Sequence, residues 1–182
     1  KELQAYNKLV ENATKLSKAY NKTEQDARDA LDKVTDATNK AATAAAEYAQ
    51  EQTNAALQSA ENIKTYYDAK NAYEENQGAI AEGKNSLKKA QGLDLSAQDY
   101  QNQMNSNNNQ IAIKQEMKSE LQSNLQKQLD NGTIQKGTEE YWTMMGAIND
   151  CDKEVQNLQV SNEELKNTLR DDVYYRGFER AV

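Results

Sequence analysis

The sequence contains no proline and no histidine, and only seven glycines. Average usage is roughly 5% proline, about nine residues in a chain of this length. Proline breaks helix interiors and marks turns, so its absence predicts few turns and long helices. No glycine precedes Gly78, which leaves everything before it without either strong breaker. The missing histidine removes the commonest general base and the commonest metal ligand. It also excludes the helical Glu-x-x-His pairs of di-iron bundles. No glycine-rich phosphate loop occurs. No catalytic residue, metal ligand or cofactor is therefore expected.

Other shortages narrow the reading further. The single cysteine, Cys151, excludes an intrachain disulfide framework. Neither an apolar run long enough to span a bilayer nor a signal peptide is present. The chain starts at Lys1 in mid-pattern, as a fragment of a longer protein would. Hydrophobic residues make up 37%, against roughly 45–50% for a globular domain when Gly is counted. Ten of the twelve aromatics are tyrosine. Such a chain can supply narrow seams between helices rather than one broad core. The net charge is −7 with no basic block, so direct nucleic-acid binding by phosphate neutralisation is not expected.

What is present is periodic. Tyr6, Ala13, Tyr20, Ala27, Val34, Ala41, Tyr48 and Ala55 recur every seventh residue, with Leu9, Leu16, Ala30, Leu31, Ala37, Ala44 and Ala45 between them. This is the heptad stripe of a left-handed coiled coil, and it rules out disorder. Its alanine content predicts a thin seam of modest stability. A second register follows at Tyr66, Tyr73, Ile80 and Leu87, offset by an insertion of four residues that locally unwinds a supercoil. The helix is expected to reach about residue 90, on the order of 130 Å, with Gly78 and Gly83 as weak points. Lys84, Lys88 and Lys89 suit its C-terminus, and Gly92 followed by Leu93 suits its cap.

Ser96 with Asp99 reads as a capping box opening a second helix. Its apolar positions are Tyr100, Met104, Ile111, Met117, Leu121, Leu125 and Leu129, and the polar run from Met104 to Gln110 is expected to fray. A turn at 130–138 carries Gly132 and Gly137, and Thr138 caps a third helix. There Tyr141, Ile148, Val155, Asn162 and Leu169 alternate with Met144, Met145, Cys151, Leu158 and Leu165. The prediction is an all-α fold: a long alanine-rich helix over 1–92, then an antiparallel α-hairpin over 93–182 with helices at about 96–130 and 138–175. Partners are expected to be other helices through coiled-coil packing, including a second copy; two and three strands both fit.

Individual residues mostly favour packing over chemistry. Cys151 lies in the apolar stripe with no histidine to activate it. The turn from Asp130 places Gly132, Ile134 and Gln135 where a calcium loop needs oxygen ligands or its fixed glycine. Adjacent acidic pairs such as Glu139 and Glu140 do not face one another on a helix. The Asn-x-Ser/Thr matches at Asn12, Asn21 and Asn131 are expected by chance in so Asn- and Thr-rich a chain. Tyr141, Trp142 and Met145 form the most apolar local cluster. Tyr141 and Met145 are expected to face the seam, with Trp142 on the hairpin turn. Asn162 is a polar seam residue of the kind that fixes register. Tyr174, Tyr175 and Phe178 are expected to contact a continuation of the chain.

The stretch 129–169 joins Asp-Asn-Gly-x-Ile-x-x-Gly-Thr to Glu-Glu-Tyr-Trp-x-Met-Met-x-x-Ile, followed by Ile148, Val155, Leu158, Leu165 and Leu169. It resembles the helical repeat region of tail tape-measure proteins from long-tailed phages and prophages of Gram-positive bacteria. The resemblance covers about residues 95–180. It implies a structural role inside the tail tube, setting tail length as tube proteins polymerise around an extended helix, with assembly in the bacterial cytoplasm. The chain carries neither the hydrophobic segment of many members nor the peptidase or lysozyme-like domains of some. The rival expectations are an extracellular coiled-coil stalk of a Gram-positive surface protein and a cytoplasmic scaffold that binds a partner helix.

Overall fold

A computed structural model describes the backbone of residues 2–175 and the side chains of residues 3–172. The fold is all-α. Helix α1 runs Glu2–Ala90, α2 Ala97–Asp130 and α3 Glu139–Leu169, and a π-helical turn continues α3 over Arg170–Tyr175. The chain divides into two compact units, Lys1–Glu51 and Gln52–Val182.

The first unit is helix alone. Every described residue from Leu3 to Glu51 is exposed, the heptad stripe included. Local terms hold it together. Glu11 pairs with Lys15 at 2.9 Å and Glu24 with Arg28 at 2.6 Å, each acid one turn ahead of its base, the favourable order. The threonines, which cost helix propensity, turn their hydroxyls back onto the preceding turn. Thr14 donates to the Val10 carbonyl and Thr38 to that of Val34, both at 2.8 Å.

The second unit is a three-helix bundle. Its first helix is the stretch of α1 from Gln52 onward. The boundary thus falls at residue 52 and not at 93, because half of α1 is needed to cover the hairpin. Contacts between α1 and α2 run in opposite directions. Ser59 meets Asn124 at 2.7 Å, Lys70 meets Glu116 at 2.7 Å, and Lys88 meets Asp99 at 2.7 Å. Helices α2 and α3 are likewise antiparallel, Lys118 pairing with Asp152 and Asn107 with Asn162. The expected α-hairpin is present.

Helix ends follow the sequence signals. Leu93 N–H bonds the Lys88 carbonyl and Gly92 N–H that of Lys89, at 2.9 and 3.0 Å. Gly92 adopts φ +73°. This is a Schellman ending. The Ser96 hydroxyl and the Asp99 carboxylate form the reciprocal capping box, and Thr138 accepts from Tyr141 N–H at 3.3 Å. Lys88, then the Ser96 backbone and hydroxyl, hold the Asp99 carboxyl down at about 2. That contribution is complete above the ordinary carboxylate range and is lost as pH falls toward 2.

Two apolar clusters form the core. The larger surrounds Leu121 and Met144 and includes Ala56, Tyr67, Ile113, Met117, Ile134 and Ile148. The smaller joins Leu95, Tyr100 and Met104 to Leu165 and Leu169. Between them the seam is polar. Ser106, Gln110 and Asn162 are buried, and α2 continues unbroken through the run expected to fray.

The second register of α1 is corrected. Tyr66, Tyr73, Ile80 and Leu87 face solvent, each more than half exposed. The buried positions are Ala56, Tyr67, Asn71 and Asn85, flanked by half-buried Ile63, Glu74, Gly78 and Ala81. Here α1 packs on the polar part of α2. The Ser106 hydroxyl donates to the Glu74 carbonyl at 2.6 Å, and Asn109 to the Glu74 carboxylate at 3.0 Å. Gly78 does not break the helix. A Cβ there would lie 2.9 Å from Ser106 Oγ, whereas one at Gly83 would meet nothing within 4 Å. Gly83→Ala should therefore stabilise the bundle by about 1 kcal/mol through helix propensity. Gly78→Ala should gain little, because the same propensity is offset by displacing the Ser106 hydrogen bond, worth about 1 kcal/mol. Chemical denaturation of both variants checks this; an equal gain at both sites would remove the close-approach role of Gly78.

Candidate interaction site

Three of the polar contacts that cross the bundle lie along α2 and α3 around buried or half-buried side chains. Lys114, on α2, is 5% exposed. Its ammonium reaches Glu154 of α3 at 2.6 Å and Asp68 of α1 at 3.2 Å. Burial disfavours its charge, but Glu154 and then Asp68 outweigh that, and its pKa is raised. One turn on, Lys118 holds both oxygens of Asp152, at 2.6 and 2.7 Å.

The third contact is an amide layer. Asn162 Nδ2 donates to Asn108 Oδ1 at 2.8 Å, and Asn107 Nδ2 donates to Asn162 Oδ1 at 3.0 Å. Asn162 is the polar seam residue expected from the heptad, and its buried amide is used on both sides. A groove of about 450 Å³ lies between the layers, lined by Asp68, Asn71, Gln110, Lys114 and Glu154. The buried Asn71 Oδ1 in its lining has no hydrogen-bond partner.

Tyr67 belongs to the α1–α2 contact. A hydrogen bond to Glu120, burial and the nearby carboxylates push its phenol up to about 12. Its neighbour Tyr66 lies edge-on to it at 5.0 Å on the exposed side.

At the hairpin end, Tyr141 and Met145 are half-buried against the larger cluster, as expected of seam residues. Trp142 differs from expectation. It is 61% exposed and meets Tyr141 edge-on at 4.9 Å. The turn side chain that packs inward is Ile134, in the larger cluster. Asn131 Oδ1 accepts from Thr133 N–H at 3.0 Å, closing the turn. The side chains of Tyr174 and Tyr175 lie outside the described residues, and so does Phe178. Near them, the Tyr100 hydroxyl donates to Asp172, tying the π-helical turn to the start of α2.

The Cys151 thiol is buried and lies 3.4 Å from the Ala147 carbonyl. Burial raises its pKa, so little thiolate is present at neutral pH. Among the described residues no group of three His, Cys, Asp or Glu side chains is placed to hold a metal ion, and no helix is long and apolar enough to cross a membrane.

Lys114 was missed by the sequence reading. Its signal was position: Gln110, Lys114, Met117 and Leu121 fall on one face of α2, so a lysine stands in the stripe. Gly78 and Ser106 gave no hydropathy signal at all.

No family model, curated protein or solved structure was found to match this chain.

Two measurements test the polar contacts. Asn162→Ala removes the buried partner of Asn107 and Asn108, while Asn107 keeps Ser161 Oγ at 3.2 Å, and should cost about 1 kcal/mol in urea denaturation; a cost near zero would mean that water replaces the layer freely. Tyr67 and Lys114 both hold their protons more tightly when folded. The Tyr67 contribution is complete below about pH 10 and is lost as the pH rises toward about 12, and the raised pKa of Lys114 acts in the same direction. Stability should fall across that window, and Tyr67→Phe should fall less steeply than the parent chain. Parallel pH profiles would show that the phenol does not couple to folding.

Proposed function

We propose that this chain is a non-catalytic helical spacer and forms part of a tail tape-measure protein. The observation that supports it best is the first unit: continuous helix from Glu2 to Glu51, bearing a heptad stripe that is exposed throughout. Helix length is linear in residue number at 1.5 Å per residue, which is the property a ruler needs. The resemblance of residues 95–180 to tape-measure repeats names the setting, a tail tube lumen, and tube proteins as neighbours. The acidic balance also suits a conduit for DNA, since it disfavours adhesion to phosphate.

The bundle limits this reading in a useful way. Residues 52–169 run back and forth as three packed helices, so they add far less length per residue than the first unit. A ruler built from this chain counts heptads in its first unit and treats the bundle as a node. The packed bundle also favours the second reading, a surface stalk or scaffold in which a folded node presents a helix.

The two readings separate on tail length. Removal of four heptads in frame, Ala13 to Lys40, deletes 28 residues from the first unit and leaves every bundle contact in place. In a phage carrying the parent gene, tails measured by electron microscopy should shorten by about 42 Å, and a tandem duplication of the same four heptads should lengthen them by about as much. Tails of unchanged length would exclude the ruler role and leave the stalk or scaffold.

A further inference from the structure

We infer that the first unit is completed by a second copy of the same helix, running antiparallel to it. The inference concerns the free chain and is independent of the tail-length reading.

The need for a partner follows from the stripe. Leu3, Tyr6, Leu9, Leu16, Tyr20 and Val34 are each more than 60% exposed. An isolated helix without tertiary packing is marginal in water, and a heptad repeat sustained over six turns of the pattern is the arrangement that another helix covers. A globular or membrane partner would not require the 3.5-residue spacing.

Charge selects a copy of this chain and sets its direction. Residues 1–25 hold five lysines and three glutamates, a net +2, whereas residues 26–51 hold three basic and six acidic residues, a net −3. Parallel copies would lay like charge beside like. Antiparallel copies lay the basic half of each beside the acidic half of the other. The flanking heptad positions that choose orientation in coiled coils hold Asp26 and Lys33. With the pair centred between residues 28 and 29, Asp26 of each copy is level with Leu31 of the other and lies two residues from its Lys33, on the same flank of the seam.

Side-chain size agrees with that register. Tyr20 lies opposite Ala37 and Leu16 opposite Ala41, while Ala27 meets Ala30. Over the middle of the pair large residues are thus set against small ones, while Leu9 meets Tyr48 toward each end. A parallel, in-register pair would instead stack Tyr20 on Tyr20 and Ala27 on Ala27, alternating wide and narrow layers along one seam. Close packing tolerates such alternation poorly.

The test uses the full chain. Sedimentation equilibrium over a wide concentration range should give a dimer, and the variant lacking Ala13 to Lys40 should be a monomer with its bundle helicity retained. Orientation is read by oxidation in a Cys151→Ser background. A mixture of Ala27→Cys and Ala30→Cys chains should form a mixed disulfide, and Ala27→Cys alone should cross-link far less. Lys33→Glu should weaken the dimer at least tenfold, and the exchange Asp26→Lys with Lys33→Asp should restore it. A monomer at all concentrations, a dimer that survives the deletion, or efficient cross-linking of Ala27→Cys to itself would each overturn the proposal.

Discussion

The ammonium of Lys114 stands where the three helices of the bundle meet, and the rest of the packing is arranged around its two partners. Asp68 comes from α1 and Glu154 from α3, so one side chain sets the axial position of both helices against α2. A displacement of either helix by one turn would leave a charge uncompensated in a place that water reaches poorly. A buried charge without a partner costs several kcal/mol, whereas a paired one is close to neutral for stability. The triad therefore specifies an arrangement more than it deepens the well. The amide layer at Asn162 acts likewise further along the α2–α3 seam.

Such devices matter because apolar contact alone would not choose between registers here. The two apolar clusters are separated by a polar stretch of seam, and much of the α1 contribution is alanine. Substituting a buried Leu by Ala costs about 2–5 kcal/mol, so Leu121 and its neighbours dominate the gross stability. They are nonetheless few, and a heptad of small residues slides easily. The polar contacts at Ser106, Asn107, Lys114 and Lys118 are directional, and together they penalise sliding.

The sequence was most legible where one local rule decides the outcome. The ends of α1 and α2, the capping box at Ser96 and Asp99, and the seam of α3 all followed from residue type and spacing. The hairpin followed from a short connection between two amphipathic helices. The face that α1 presents from Gln52 onward was not legible. Tyr66, Tyr73, Ile80 and Leu87 make the stronger apolar stripe, but hydropathy reports only which face gains from cover. Which face is covered depends on the shape of α2, where Ser106 reaches the backbone of α1 beside Gly78. A small residue and a hydroxyl carry no periodic apolar signal. Lys114 was overlooked for a related reason: a lysine reads as solvated until its two carboxylates, 46 residues before it and on the next helix, are brought alongside.

The two units answer the shortage of apolar residues in opposite ways. The bundle is built from neighbours in sequence joined by short turns, so its closure entropy is low and it can form within one chain. The first unit has no such neighbour. Local i,i+4 terms hold its helix, and in the pairing inferred above any further order would be linked to association by mass action. An alanine-rich seam buries little area, at roughly 25 cal/mol per Å², so a pair of such helices would be held less firmly than a leucine-rich pair of the same length, and local helix propensity would carry a larger share of the order.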